Sequence, residues 1–291
     1  MDITTFLISV FCLVDDFLKD KRLRQRGPQP TLSDSEVMTM EIVGEFLGLD
    51  TDSGIYRYFR RHYRDWFPAL GRVHRTTFVR QAANLWVVKQ QLWSWLIGQI
   101  EHDPLISITD SLPIPVCRFA RAYRCRLLSG ETAFGRDEVA RQTFLGLRAH
   151  VRITWPGLIT DFRLAPANVH DLHMAEDLFE GVQGWALGDR NYWSPPLREK
   201  GLKQGLIWLT PYKSAKREKK PWPRWLSHKR YLIDTVFSQL TERFHAKRVW
   251  ARDSWHFFSR WLRKILGHTV AVLFCQRLDL PPLHFAELII D

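Results

Sequence analysis

Cysteine is scarce in this chain. Cys12, Cys117, Cys125 and Cys275 are the four among 291 residues, none in a CxxC pair and none with histidines at zinc-ligand spacing. That excludes a disulfide framework and a zinc-finger core, and the thiols are expected to be reduced, as in a cytosolic protein. Long hydrophobic runs are missing too. The apolar start breaks at Asp15-Asp16, too short to span a bilayer, and Asp2 stands where a secretory leader needs positive charge, so neither membrane nor export is expected. There is no internal repeat and no low-complexity linker. Acid is in short supply: 31 Asp and Glu face 42 Lys and Arg, a net charge of +11 with a pI near 9.7. A soluble chain this basic is expected to meet a polyanion. What is plentiful is apolar and aromatic side chain, 45% and 13% of the residues, which rules out disorder and leaves room for one large or two modest domains.

Periodicity divides the chain near residue 100. Before it the pattern is helical: one helix near 3–20, a break at Arg26-Gly27-Pro28-Gln29-Pro30, and Ser33 with Glu36 at capping-box spacing ahead of an apolar run. A further helix is predicted over Asp52 to about Phe67, carrying Arg57, Arg60, Arg61, His62 and Arg64, and another from Thr77 to Ile100. Short arginine-rich helices suit a helix-turn-helix module on duplex DNA, against the plainer alternative of a supporting bundle. Residues 101–291 switch to strands. Leu105–Thr109 alternates, Phe144–Thr154 and Leu158–Leu164 make a hairpin about Gly157, Asn168–Asp171 caps a helix through Phe179, and Gly184–Asp189 and Gly205–Leu209 are strands. A long helical region fills 224–276. Three antiparallel strands, a helix, two strands and further helices give the ribonuclease H-like order, an α/β catalytic domain preceded by a helical DNA-binding domain. In that order the first and fourth strands are neighbours, so Asp110 and Asp189 are expected to meet.

Three acids carry the candidate chemistry. Asp110 is expected at a strand end, because Pro113 and Pro115 would stop ladder pairing, and Asp189 at another, after the close-packing Gly188. The third comes from a helix whose apolar stripe is Ile233, Val236, Phe237, Leu240 and Phe244. Asp234 and His245 fall on one flank of that stripe with Arg230 and Arg248 beside them, and Glu242 falls almost opposite. Asp234 is therefore the preferred third acid and Glu242 the alternate. Two Mg²⁺ or Mn²⁺ ions held by such a trio would support phosphodiester cleavage and joining. Basic clusters flank the acids: Arg118, Arg121, Arg124 and Arg126; Lys213, Lys216, Arg217, Lys219 and Lys220; and Lys247, Arg248, Arg252, Arg260, Arg263 and Lys264. Singly each is a solvated face; together they fit a phosphate-lined path. Arg118, Arg121, Arg124, Lys213, Arg230, His245 and Arg248 are the candidate DNA contacts.

On these residues the chain resembles the DDE transposases of bacterial insertion sequences, most closely the insertion-sequence-982 group. The resemblance is carried by Thr109-Asp110-Ser111-Leu112-Pro113-Ile114-Pro115-Val116-Cys117-Arg118, by Asp189-Arg190-Asn191-Tyr192 with Asn191 in place of a glycine, and by Arg230-Tyr231-Leu232-Ile233-Asp234, where the pattern has glutamate. It implies an enzyme that binds terminal inverted repeats, cleaves at the element's ends and joins the 3′ ends to target DNA. It also implies a homodimer at synapsis and work in the cytoplasm on nucleoid DNA. A structure-selective nuclease would use the same acids without joining, and a non-catalytic repressor would need only the basic helices.

Overall fold

The computed structural model describes residues 1–23, 27–214 and 222–290. Arg26 of the expected break and Lys216, Arg217, Lys219 and Lys220 of the second basic cluster lie outside them. The chain opens with α1 (Ile3–Leu18), α2 (Asp34–Phe46), α3 (Asp52–His62), α4 (Arg75–Asn84) and α5 (Trp86–Ile97). It continues as β1 (Asp103–Arg118), β2 (Ala133–Asp137), β3 (Gln142–Trp155), β4 (Leu158–Pro166), α6 (Asp171–Leu178), β5 (Gly184–Leu187), α7 (Pro195–Gln204) and β6 (Leu206–Leu209). Two long helices, α8 (Arg224–Glu242) and α9 (Ser254–Arg277), follow. These elements form two compact units: Met1–Ile100 with Leu240–Asp291, and Glu101–Gln239. Residues 240–291, expected with the 101–291 segment, thus pack with the N-terminal helices.

The first unit is helical and closes around α9, which packs on α2, α4 and α5 and is buried almost continuously from Trp261 to Cys275. The Ser33 cap forms as its spacing predicts, Ser33 N–H donating to Glu36 Oε2 at 2.6 Å and Glu36 N–H to Ser33 Oγ at 3.1 Å. Between the helices lies a buried layer of charge. Lys89 Nζ donates to Glu41 at 2.7 Å, Lys264 Nζ to Glu45 at 2.8 Å, and Arg263 is paired with both Glu45 and Asp52. Charges so buried survive only when paired and hydrogen-bonded, so α9 supplies what α2 and α3 need. The single helix predicted over 77–100 is instead α4 and α5, broken at Leu85. The Ala82 carbonyl, which a continuous helix would use internally, accepts from Lys89 Nζ at 2.9 Å and Ser259 Oγ at 3.0 Å. The helix predicted to about Phe67 stops at His62, and a 3-10 turn begins at Pro68.

The second unit is built on a mixed sheet ordered β4, β3, β1, β5, β6, with β2 pairing the other end of β3. β1 runs antiparallel to β3 and parallel to β5, and β5 parallel to β6. This mixed α/β arrangement is compatible with a ribonuclease H-like DDE domain. β1 is longer than expected. It pairs with β3 past Pro113 and Pro115 and, after a register shift between Pro115 and Cys117, on to Arg118, so Asp110 sits within the strand rather than at its end. The two prolines share parity, and pairing with β5 stops at Ile108; nitrogens that face an unpaired edge cost the ladder nothing. Beneath the sheet, Leu178, Phe179, Ala186, Tyr192, Leu206 and Trp208 form one buried cluster, with Tyr192 stacked on Trp208 at 5.9 Å. The helical region expected over 224–276 is two helices. Between them His245 takes a left-handed φ of 49°, and Ala246 N–H closes the turn on the Leu240 carbonyl at 2.7 Å.

Candidate active site

Parallel pairing places the first two acids together. Ile108 is the partner of Leu187 across β1 and β5, so Asp110 and Asp189 each lie two residues beyond a matched pair. Past Leu187 the chain leaves the sheet, and Asp189 caps a 3-10 turn (Arg190–Tyr192), accepting Asn191 N–H at 2.8 Å and Asn191 Nδ2–H at 3.0 Å. Asn191, where the family motif has glycine, therefore clamps both oxygens of the acid. Gly188 permits this turn: a Cβ there would lie 2.9 Å from the Tyr192 ring. Gly184 lets β5 start beside β1, since a Cβ there would lie 2.3 Å from the Leu105 carbonyl.

The two carboxylates disturb each other. Burial pushes Asp110 up to about 7, and the neighbouring charge of Asp189 adds to the rise. Asp189 is also raised, by burial first, with its Asn191 hydrogen bond opposing and the charge of Asp171 adding. Arg230 of α8 approaches Asp110 Oδ2 with Nη1 at 3.3 Å. Ser111 N–H donates to Asp110 Oδ1 at 2.8 Å. A cleft of about 420 Å³ opens here, lined by Asp189, Arg190, Leu209, Ser227 and Arg230.

α8 buries Ile233, Val236 and Leu240, with Phe244 just beyond it, so the predicted stripe is the packed face. Asp234 is exposed, one turn along from Arg230. Among the described residues no hydrogen bond or ion pair joins it to Asp110 or Asp189. Glu242, at the end of α8, is exposed and belongs to the first unit, as do His245 and Arg248. Arg118, Arg121 and Arg124 are exposed at the far end of β1 and in the turn after it, and Lys213 is exposed after β6. No group of three or more His, Cys, Asp or Glu among the described residues is placed to hold a metal ion. The pair nonetheless fits a divalent cation: hard oxygen donors from β1 and the turn after β5, each held above its ordinary pKa by burial, with the repulsion between them that a cation removes.

Asp171 is an acid that sequence reasoning passed over as a helix cap. It opens α6 and is buried, with its Oδ1 3.3 Å from Nδ1 of the fully buried His150. Burial works to raise it, yet His150, Ser111 and Arg148 hold it below the usual range. The signal was the spacing of His150 opposite Ser111 in the hairpin register, which needs the pairing of β1 with β3 to be known.

A family model described as a transposase DDE domain matches residues 101–250, just over half of the chain and all of the second unit. The chain belongs to that family, whose members are metal-dependent enzymes that cut and transfer DNA. No curated protein and no solved structure matches the chain. No helix among the described residues is long and apolar enough to cross a membrane.

Proposed function

We propose that this transposase, of the insertion-sequence-982 group, binds the terminal inverted repeats of its element, cleaves DNA at the ends and joins the 3′ ends to target DNA. The observation that supports the reading is the parallel register of β1 and β5, which ends two residues before Asp110 and Asp189, with the charge of Asp189 acting on Asp110 and Arg230 of α8 against it. Asp234, on that helix one turn further, is the third acid; Glu242 is the alternate.

Two Mg²⁺ or Mn²⁺ ions at Asp110, Asp189 and Asp234 would supply a deprotonated nucleophile and a stabilised leaving oxygen. In cleavage, water oxygen forms a bond to phosphorus as the bond to the 3′ oxygen breaks, and that oxygen leaves as a hydroxyl. In joining, the freed 3′ oxygen attacks a target phosphate and displaces the target strand's own 3′ oxygen. Asp110 and Asp189 hold the reacting centre on the rigid sheet, and Arg230 turns from Asp110 to the scissile phosphate. We assign further DNA contacts to Arg118, Arg121, Arg124, Lys213, His245 and Arg248, DNA reading to the helices of residues 1–100, and catalysis to the segment after them. Synapsis of two ends calls for a homodimer, acting in the cytoplasm on nucleoid DNA.

The test is a cleavage and joining assay in Mg²⁺ on DNA carrying the element's ends. Asp110→Asn and Asp189→Asn should abolish cleavage while DNA binding persists; cleavage within tenfold of wild type in either variant overturns the assignment. Asp234→Ala should cost at least about a hundredfold, the size of losing a charge-stabilising group, and Glu242→Ala little. The reverse result moves the third acid to Glu242.

A further inference from the structure

The helical unit holds a cavity that the proposed chemistry does not use. It measures about 740 Å³ and is lined by Asp50, Asp52, Ser53, Arg75, Thr76, Arg80, Trp250, Arg252, His256 and Arg260. That is within the size range of ligand sites. Its acids are already engaged. Asp52 is paired with Arg260 at 2.5 Å and with Arg263, and Asp50 accepts Trp250 Nε1–H at 3.2 Å. Three of its arginines are not. Arg75 donates to the Ser53 hydroxyl at 3.1 Å, and among the described residues Arg75, Arg80 and Arg252 have no carboxylate partner. All three are exposed. Arg260 also donates to the Trp250 carbonyl, fixing the backbone of a tryptophan that is 63% exposed. An indole anchored at its nitrogen and its carbonyl, yet open to solvent, offers a flat face that the fold itself does not cover.

We propose that this cavity seats a DNA strand, with a backbone phosphate among Arg75, Arg80 and Arg252 and an adjacent unpaired base stacked on Trp250. The inference rests on the reading of the chain as a DNA-cutting transposase, and it names where the helical unit grips the strand. Guanidinium groups without carboxylate partners suit phosphate oxygens. Alternation of cation and exposed aromatic is the pattern of single-strand recognition, in which stacking tolerates any base. Unpaired nucleotides are what a strand presents at a cut or frayed end.

The experiment measures binding of the full chain to a labelled duplex of arbitrary sequence, and to the same duplex with a short unpaired extension, across salt from ~50 to ~200 mM. Arg80→Ala combined with Arg252→Ala should weaken both complexes about tenfold or more and flatten the salt dependence by about one, near 0.9 for the one phosphate lost. Trp250→Ala should weaken the extended duplex at least about fivefold and leave the blunt one within twofold. Thermal melts check that these variants fold. Wild-type salt dependence in the double arginine variant overturns the proposal, as does equal loss on both substrates in Trp250→Ala, or a cavity that binds inorganic phosphate while DNA affinity is unchanged. Asp110→Asn keeps the two readings apart: if it is dead in cleavage while the arginine variant binds normally, the cavity falls and the transposase assignment stands. A wild-type chain that neither binds nor cuts DNA overturns both.

Discussion

At the scale of single residues, Asp110 is held in a costly state. Its carboxyl titrates at about 7 in the folded chain because burial and Asp189 oppose its charge, against about 3.9 in an unfolded one. Below the unfolded value both forms keep the proton and stability is unaffected. As pH rises toward 7 the unfolded chain loses its proton first, so stability falls by up to on the order of 4 kcal/mol and stays lower above the folded value. Asp110→Asn should therefore melt higher than wild type at pH 8 and nearly with it at pH 4, read by calorimetry; equal gaps at the two pH values would show that the acid is not strained. Mn²⁺ should raise the wild-type melting temperature at pH 8 and leave that of the Asn variant unmoved. The candidate pair itself was legible in sequence, because an acid after an alternating run and an acid after a short apolar strand are local patterns. Asp171 and His150 were not, since their meeting depends on register between distant segments.

At the scale of elements, most strand and helix identities followed from period, but β2 (Ala133–Asp137) and α7 (Pro195–Gln204) were not expected, and the misjudged boundaries were set by tertiary partners. Pro113 and Pro115 end a strand only if their nitrogens face a partner, and sequence does not say which edge β5 leaves open. The break at Leu85 has no glycine or proline to announce it; it depends on Lys89 and Ser259 competing for the Ala82 carbonyl. Lys89→Met should accordingly cost about 3 kcal/mol in denaturant unfolding, the lower end of what removing one member of a buried pair costs, since Glu41 keeps Arg263 at 3.7 Å. A cost under about 1 kcal/mol would mean that Glu41 finds water or takes up a proton freely. Gly184 should be as intolerant. Its φ of +95°, and the Leu105 carbonyl 2.3 Å from where an alanine methyl would sit, leave no place for a side chain. Gly184→Ala should separate β5 from β1, lowering both stability and cleavage, and normal cleavage would show that the strand start can shift without moving Asp189.

At the scale of the whole molecule, the change of period near residue 100 marked a true boundary, but it could not show the chain's return to its first unit. The apolar stripe of α9 looks the same whichever neighbour it covers. The return makes a clear expectation for dissection. Residues 1–100 alone keep Glu45 and Asp52 but lose Arg263 and Lys264, so that fragment should be largely unfolded by circular dichroism. The same residues joined through a flexible linker to 240–291 should melt cooperatively. A cooperative transition in the short fragment would mean that the buried charge layer can be rebuilt without α9.

The order of manufacture follows from that return. A ribosome delivers the first hundred residues long before α9, so the segment made second, 101–239, is the first whose partners have all emerged. The opening helices wait with two carboxylates, Glu45 and Asp52, unanswered until residues 240–291 leave the tunnel. Early termination anywhere before the end of α9 yields a chain whose N-terminal helices never close. Whatever the helical unit grips, such shortened products do not compete for it.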